Sequence, residues 1–320
     1  MRRLAIGMFF GGLIYIPLCL FEIVMSPQLH RIFYGSHAFA DFTQTIRYGG
    51  FRPTVFMRHG LSVGVWMMTV TLLCIWLWRT GVIKQVHLIP LSWLIPVFLF
   101  TFIQCKSTGA ILLFLLGTVI LFFVWQFRSA IPLIVLIVSM CIYLGQNSLS
   151  ETYVTDQIVQ SAAKIVPDER IKSLEFRFNN EELLADKARE RIMFGWGGWG
   201  RNRVYDEEEN DITTVDSLWI IAFGKNGLLG LTSLMLSFFL PVIGFLYRYP
   251  ASLWTNRQVA PAAVMAVLLV LYMLDCILNA MINPLFALTC GGIAGVALKN
   301  ISQVRISTSD FRFTSNNFSN

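Results

Sequence analysis

The segment TGAILLFLLGTVILFFVW, at Thr108–Trp125, is apolar along almost its whole length and contains no ionisable side chain. A helix rises about 1.5 Å per residue, so a block of this kind is long enough to cross a hydrocarbon core of about 30 Å. Hydrophobic residues make up 55% of the 320-residue chain and charged residues only 14%, with a mean hydropathy of +0.62. This balance is not that of a soluble globular domain, and it predicts an all-α integral membrane protein.

Apolar blocks of this length recur along the chain and predict about eight membrane-spanning helices. The first block follows two arginines, as the start of a signal peptide does, but no small-x-small cleavage motif precedes Glu22. We therefore expect that helix to be retained, and residues 1–320 to form a single polytopic membrane domain. The predicted spans are Leu4–Phe21, Gly60–Trp78, His87–Gln104, Thr108–Trp125, Ile131–Gln146, Asn226–Tyr247, Val259–Leu278 and Pro284–Leu298.

The distribution of lysine and arginine in the short connecting segments indicates the orientation. With the amino terminus in the cytoplasm, the polar tail at 300–320 is cytoplasmic and Asp310 is the only acid inside. The formal net charge of +6 is then a consequence of topology and indicates no nucleic-acid partner. The basic residues assigned to the inside are Arg2, Arg3, Arg79, Lys84, Arg128, Arg248, Arg257, Lys299, Arg305 and Arg312.

Two segments are predicted outside the membrane, at residues 23–59 and 147–216. The first is basic and is interrupted by Gly49-Gly50 and Pro53. The second is long and charged, and it contains a candidate amphipathic helix near Pro167–Arg191. The residues of that helix expected to face lipid or protein are Ile171, Leu174, Phe178, Leu183 and Leu184.

The sequence contains no motif for common metal or nucleotide chemistry. His-Glu-x-x-His, Gly-x-Ser-x-Gly and Walker sequences do not occur, so metalloprotease, serine hydrolase and nucleotide-driven activities have no support. The six cysteines fall within or at the ends of apolar blocks without paired spacing, which indicates neither a disulfide framework nor a zinc site. We expect no metal and no cofactor.

One pair of motifs has the order and spacing of a known family. Asp216-Ser217 is followed after nine residues by Gly227-Leu228-Leu229-Gly230, at the head of a membrane helix. This pattern resembles the signature of the O-antigen ligase and polymerase family. Ligases of that family carry histidine where this chain has Asp216, so the resemblance favours a polymerase over a ligase.

Other segments resemble the same family in the same order, over roughly Arg47 to Leu240. Gly50-Phe51-Arg52-Pro53 before His59-Gly60 is similar to its arginine-bearing external segment. Lys106–Ala110 is similar to the Ser/Arg-rich start of a later helix. Two last pieces, Ser173 to Arg177 and then Phe194-Gly195-Trp196-Gly197, are similar to its second arginine segment and its glycine-rich turn.

The resemblance implies a multi-pass enzyme of the bacterial cytoplasmic (inner) membrane, acting in O-antigen or exopolysaccharide biosynthesis. Its substrate would be a polyprenyl-pyrophosphate-linked glycan, transferred outside the cytoplasm to a glycan or lipid acceptor. Membrane lipids and other polysaccharide-assembly proteins are the further partners that it implies.

The implied catalytic residues are Asp216, Arg52 and Arg177. Negative charge grows on the pyrophosphate as the glycosidic bond breaks, and guanidinium groups stabilise it through bidentate hydrogen bonds. Arginine stays protonated and can serve where other enzymes use a metal ion. Asp216 is the candidate base for the acceptor hydroxyl. The candidate substrate-binding residues are Arg47, Arg58, Lys106, Arg191, Trp196 and Trp199.

Each of these assignments has a structural alternative. Arginines near membrane ends often only contact lipid phosphates. Asp216 is also placed to cap a helix that starts at Ser217. Trp196 and Trp199 suit either an interfacial belt or stacking on sugar rings.

Two other functions and one further polar face stay open. A transporter or flippase of lipid-linked sugars would bind pyrophosphate with the same arginines and catalyse nothing. A non-catalytic scaffold of a polysaccharide assembly would need neither pyrophosphate binding nor catalysis. In the seventh span, Asp275, Asn279 and Asn283 recur at helical spacing. That face should point to protein or to a wet cavity.

Overall fold

The computed structural model describes residues 1–38, 42–150, 168–215 and 217–298, and most of these residues are helical. The helices are α1 (Arg2–Met25), α2 (Leu29–Tyr34), α3 (Gly60–Arg79), α4 (Leu91–Gln104), α5 (Thr108–Phe127), α6 (Ile131–Leu149), α7 (Asp168–Arg189), α8 (Leu218–Arg248), α9 (Ala260–Leu278) and α10 (Pro284–Leu298). In the described part of the chain, sheet is confined to two antiparallel hairpins. These are β1 (Ile46–Arg47) with β2 (Gly50–Phe51), and β3 (Gln85–Val86) with β4 (Ile89–Pro90).

A helix covers most of each of the eight segments predicted to span the membrane. The third predicted span began too early, because His87–Pro90 belongs to the β3–β4 hairpin and α4 begins at Leu91. Six of the helices, α1, α3, α5, α6, α8 and α9, are long and apolar enough to cross a membrane, which confirms a multi-pass all-α membrane protein. The other two, α4 and α10, are apolar but shorter. The 14 residues of α4 rise about 21 Å, less than the hydrocarbon core of about 30 Å. The count of eight crossings therefore stays a prediction.

Two of the long helices form the centre of the bundle. Buried residues make up 83% of the apolar stretch of α3 and 89% of that of α9, against 33% for α1, α5 and α6 and 22% for α8. The outer helices therefore present apolar side chains such as Leu112 and Phe122 on their outer faces. Exposed apolar faces of this kind are suited to contact with acyl chains.

The helices of the bundle run alternately between two ends. Contacts at one end join the chain after α1, the α4–α5 turn, the end of α6, helix α7 and the end of α9. We call this end the loop side. At the opposite end, Arg79 lies 4.1 Å from the ring centroid of Trp125, which brings the ends of α3 and α5 together.

The predicted amphipathic helix is α7, which belongs to the loop side. Phe178 and Leu184 are buried where α7 packs against α8 and α6, whereas Leu183 is exposed. Arg189 donates to the carbonyl oxygen of Asn147 at 3.0 Å and ties α7 to the end of α6. The helix thus packs on protein. The side chains of Ile171 and Leu174 lie outside the described residues.

Helix α8 begins at Leu218 rather than near Asn226, and it contains a break. Gly227 has φ 63° and ψ −161°, a conformation that is essentially confined to glycine. The glycine-rich segment before α8 fits into this break. Trp196 N–H and Gly197 N–H donate to the carbonyl oxygens of Gly224 and Lys225, both at 2.8 Å, and Leu228 N–H donates to the carbonyl oxygen of Ile192 at 2.7 Å. The backbone groups freed by the break are satisfied in this way.

Candidate functional site

Three arginines from two distant segments lie around His59 on the loop side. His59 precedes α3, and its Nδ1 accepts the Leu61 N–H at 2.9 Å. Burial, together with the positive charges of Arg52, Arg47 and Arg177, lowers the pKa of His59 to about 4. The imidazole is therefore neutral near pH 7 and sits in a strongly electropositive environment. We call His59 and these arginines the arginine cluster.

Arg52 is buried at the start of α3, with 3% of its surface exposed. Its side chain crosses Gly60, where an added Cβ would lie 2.7 Å from Arg52 Cδ. The chain just after Arg52 is held by Glu22, a fully buried carboxylate at the end of α1. Glu22 accepts the N–H groups of Thr54 at 2.8 Å and Val55 at 2.7 Å. This buried anchor fixes the external segment against the bundle.

Arg47 and Lys106 add positive charge at the β1–β2 hairpin. Arg47 lies on β1, next to a two-residue turn whose residues Tyr48 and Gly49 both have positive φ, as a type I′ hairpin requires. An added Cβ on Gly50 would lie 2.1 Å from Lys106 Nζ, so the lysine reaches over this hairpin. Neither Arg47 nor Lys106 makes an ion pair within 4 Å with an acid in the described part of the chain.

Arg177 reaches the cluster from α7 and is held by neutral acceptors. Its Nη1 donates to the carbonyl oxygen of Leu278 and to Asn279 Oδ1, both at 3.3 Å. Among the described residues it makes no ion pair, and its Nη2 and Nε make no hydrogen bond. The guanidinium is thus fixed in position while its charge and three of its donors stay available.

One helical turn beyond Arg177, Glu181 is a buried acid that the sequence analysis did not single out. Its two oxygens accept from Ser217 Oγ and, at 3.3 Å, from the Tyr143 hydroxyl. Burial raises the pKa of Glu181 to about 7, while polar contacts with Ser217, Trp219 and Tyr143 and the charge of Arg177 act in the opposite direction. The signal in the sequence was its spacing of four residues from Arg177 on one helix face.

The polar face predicted in the seventh span is present only in part. Asn279 Nδ2 donates to Asp275 Oδ1 at 2.9 Å, and both residues are buried beside Arg177. The prediction is wrong for Asn283, because α9 ends at Leu278 and the helical spacing stops there. Asn283 instead accepts the Leu285 N–H at 3.0 Å at the start of α10.

The predicted residues of the glycine-rich turn lie apart from the arginine cluster. Trp196 packs on Lys187, about 15 Å along α7 from Arg177. Lys187 Nζ and Arg191 Cζ lie 4.1 and 4.2 Å from the Trp196 ring centroid. Trp199 is 97% exposed. These residues adjoin an open groove of about 570 Å³ that is lined in part by Leu183, Arg201 and Tyr205.

Two further residues predicted for the site, Arg58 and Asp216, are not among the described residues of the arginine cluster. Arg58 is exposed, whereas Arg52 is buried. Asp216 lies outside the described residues. The prediction that a helix starts at Ser217 with Asp216 as its cap is wrong by one residue, because α8 begins at Leu218 and Ser217 is its N-cap residue. Ser217 Oγ donates to Glu181 and makes no hydrogen bond to the backbone of α8.

In the described part of the chain, no group of three His, Cys, Asp or Glu side chains could hold a metal ion. No family model, no curated protein and no solved structure matches this chain. The class is therefore defined by the fold and the site themselves: a multi-pass, all-helical membrane protein with an arginine cluster at one end of the bundle.

Proposed function

We propose that this chain is a membrane glycosyltransferase, a polymerase or ligase that acts on glycans carried by polyprenyl pyrophosphate outside the cytoplasmic membrane. The observation that supports the proposal is the convergence of Arg47, Arg52 and Arg177 on the neutral His59. Arg47 and Arg177 make no ion pair with any described acid. Guanidinium charge that is held in place but not neutralised suits the phosphate groups of a lipid-linked donor.

The proposed reaction transfers the glycan from pyrophosphate to an acceptor hydroxyl. The acceptor oxygen bonds to the anomeric carbon as the bond from that carbon to the pyrophosphate oxygen breaks. The electron pair goes to the pyrophosphate, where Arg52 and Arg177 stabilise the growing charge. The hydroxyl proton goes to Asp216, the residue in the family-like position before α8.

The location is part of the proposal. Every acid in the described residues, including Glu22 and Asp275, lies on the loop side, whereas the opposite end carries basic residues such as Arg79, Arg248 and Arg257. Under the positive-inside rule this supports a cytoplasmic amino terminus and an external loop side. A bacterial inner membrane fits the family resemblance.

A transporter or flippase of lipid-linked sugars is the second candidate. Asp275 lies in a membrane helix, and its Oδ2 is buried with no hydrogen-bond partner among the described residues. Ionisable groups at such positions often belong to a substrate or proton pathway. A scaffold of a polysaccharide assembly has no feature in its favour beyond the membrane fold.

Analysis of surface glycan in a deletion strain separates these functions. Loss of a polymerase leaves single repeat units outside the membrane, loss of a flippase leaves them inside, and loss of a scaffold changes only amount or partner recovery. Purified protein with a lipid-linked oligosaccharide gives the direct test, because only an enzyme lengthens or transfers the glycan without other proteins. Failure to do so with parent protein that binds the substrate contradicts the proposal.

A further inference from the structure

Glu181 is a buried carboxylate with no role in the proposed reaction. It follows Arg177 by one turn of α7, which puts their Cβ atoms about 5–6 Å apart. Only 6% of its surface is exposed. No Lys or Arg among the described residues forms an ion pair with it within 4 Å. The positive charge of Arg177 therefore acts on the acid without neutralising it through a direct contact.

Two opposing effects decide whether Glu181 carries a proton. Burial favours the neutral acid, because a charge without an ion partner is costly to desolvate. The hydroxyl donors of Ser217 and Tyr143 favour the carboxylate, since an ionised acid accepts at both oxygens, and the charge of Arg177 acts in the same direction. The result is a pKa of about 7, so a modest change in the surrounding charge alters its protonation at neutral pH.

We propose that Glu181 is a proton-binding site coupled to the arginine cluster: it takes up a proton when a phosphate-bearing anion binds there and releases the proton when the anion leaves. The inference rests on the anion site of the proposed function. An anion bound at Arg177 offsets the positive charge that, together with the hydrogen bonds to Glu181, favours its ionised form. The anion also adds negative charge close to the carboxylate. Both changes favour the protonated acid.

In the described part of the chain, the groups that face Glu181 come from α6, from the start of α8 and from α7 itself. Tyr143 approaches it from α6, Ser217 and Trp219 from the start of α8, and Arg177 lies on its own helix. Glu182 is adjacent in sequence, and Asp275 faces Arg177 from α9 with one oxygen bonded to Asn279. The pKa of His59, about 4, keeps the imidazole neutral across the range in which Glu181 titrates.

The sign of the coupling fixes the pH dependence. Because the bound anion raises the pKa of Glu181, the protonated protein binds more tightly than the ionised one. Affinity should be highest below a pH of about 7 and should fall as the pH rises through that value. Each unit by which the bound anion raises the pKa gives about a tenfold fall in affinity.

The test uses the full-length purified protein in detergent and a soluble pyrophosphate diester, whose phosphates stay ionised throughout. Calorimetry between about pH 6 and about pH 9, in two buffers with different ionisation enthalpies, gives both the affinity and the protons taken up. We expect about a tenfold fall in affinity for the parent and a fractional proton uptake near pH 7. Glu181→Gln should abolish both, whereas Glu175→Gln, at an exposed glutamate of the same helix, should change neither.

A second variant covers the case in which Glu181→Gln does not fold. Tyr143→Phe removes one donor to the carboxylate, so the midpoint of the pH dependence should move to higher pH. A purely structural role for Glu181 predicts no such movement, and an unchanged midpoint overturns the inference.

The remaining outcomes separate the two proposals. Parent protein that binds the diester equally at every pH, or a Glu181→Gln variant that keeps the parent's pH dependence, overturns the proton coupling and leaves the anion site in place. Absence of binding at every pH overturns both the coupling and the anion site.

Discussion

A guanidinium bonded through one nitrogen still has three N–H donors to offer, and Arg177 is held in that way by the residues that the structure describes. Its two acceptors, a backbone carbonyl and the Asn279 amide, are neutral. They fix the direction of the side chain without cancelling its charge. This arrangement pre-organises the residue for an anion, since little side-chain entropy is left to lose on binding.

Lysine at the arginine positions should impair function although the charge is kept. For Arg52→Lys and Arg177→Lys we expect the rate of glycan transfer to fall about tenfold or more, because a hydrogen bond to a charged group contributes about 1.5–3 kcal/mol and lysine lacks the planar fork. The measurement is product formation by purified protein on a lipid-linked oligosaccharide. Arg31→Lys, at an exposed arginine of α2, is the matched control. Parent-like rates in both cluster variants would place the pyrophosphate site elsewhere.

Asp216 decides between an enzyme and the non-enzymatic functions. Asp216→Asn keeps size and hydrogen-bonding ability but cannot take a proton, so a catalytic base predicts transfer slower by about two to four orders of magnitude with substrate binding intact. Asp216→His introduces the residue that the family's ligases carry, and some activity is expected from it. Single-turnover assays with bound lipid-linked substrate give the comparison. An Asn variant as active as the parent removes Asp216 from the mechanism and favours transport or scaffolding.

The family resemblance predicted Arg47, Arg52 and Arg177 as parts of one site, and that assignment stays a prediction. The resemblance did not predict Glu181, whose hydrogen-bond partners Ser217 and Tyr143 lie 36 and 38 residues away. Such contacts depend on how α6, α7 and α8 pack, so a local sequence pattern cannot predict them. The same holds for Glu22, whose partner N–H groups at Thr54 and Val55 are 32 and 33 residues distant.

At the scale of elements, the break in α8 and the glycine-rich segment form one interlocked unit. An added Cβ on Gly227 would lie 2.4 Å from the Met193 carbonyl oxygen, and one on Gly195 would lie 2.6 Å from the Gly227 nitrogen. Both obstacles are backbone atoms, which cannot move aside as a side chain can. The close approach therefore requires glycine on both sides.

Gly227→Ala should destabilise the fold. The backbone conformation alone costs a non-glycine residue about 1–3 kcal/mol, and the contact with Met193 adds to this. Gly198→Ala is the matched control, because Gly198 has open space around its Cβ position and should change stability by less than about 0.5 kcal/mol. Thermal unfolding in detergent measures both. Equal stability of the two variants would mean that the interlock does not form.

The hydropathy pattern predicted the existence of every long helix, because each buries apolar side chains or presents them to lipid. It failed at the start of α8. Lys225, Asn226 and Gly227 interrupt the apolar block, so the pattern begins the span near Asn226, whereas the helix begins at Leu218. The missing information is the glycine-rich segment, whose backbone bonds Gly224 and Lys225 and stabilises a broken helix across the polar residues.

At the scale of the whole molecule, charge separates the two ends of the bundle. Between Gly60 and Leu149 the chain contains no acid, and between Leu218 and Leu298 it contains only Asp275, at the loop-side end of α9. The loop side therefore holds all the described carboxylates, and the charged side chains described at the opposite end are all cations. The negative charge of these acids repels an anion that binds to the arginine cluster on the loop side. Arg177 retains its positive charge for such an anion because its hydrogen-bond acceptors are neutral.

The orientation predicts which end an impermeant thiol reagent reaches in intact cells. Glu208 is exposed on the loop side, and Ser252 is exposed in the turn between α8 and α9 at the opposite end. With the six native cysteines replaced, a cysteine at Glu208 should be labelled from outside, whereas one at Ser252 should be labelled only after the cells are permeabilised, which also confirms that the position is reactive. The physical basis is the retention of lysine and arginine on the cytoplasmic side, which fixes α8 as a crossing between the two positions. The reverse pattern would put the arginine cluster in the cytoplasm, where transfer of a glycan outside the membrane could not occur, and it would overturn the proposed function together with the topology.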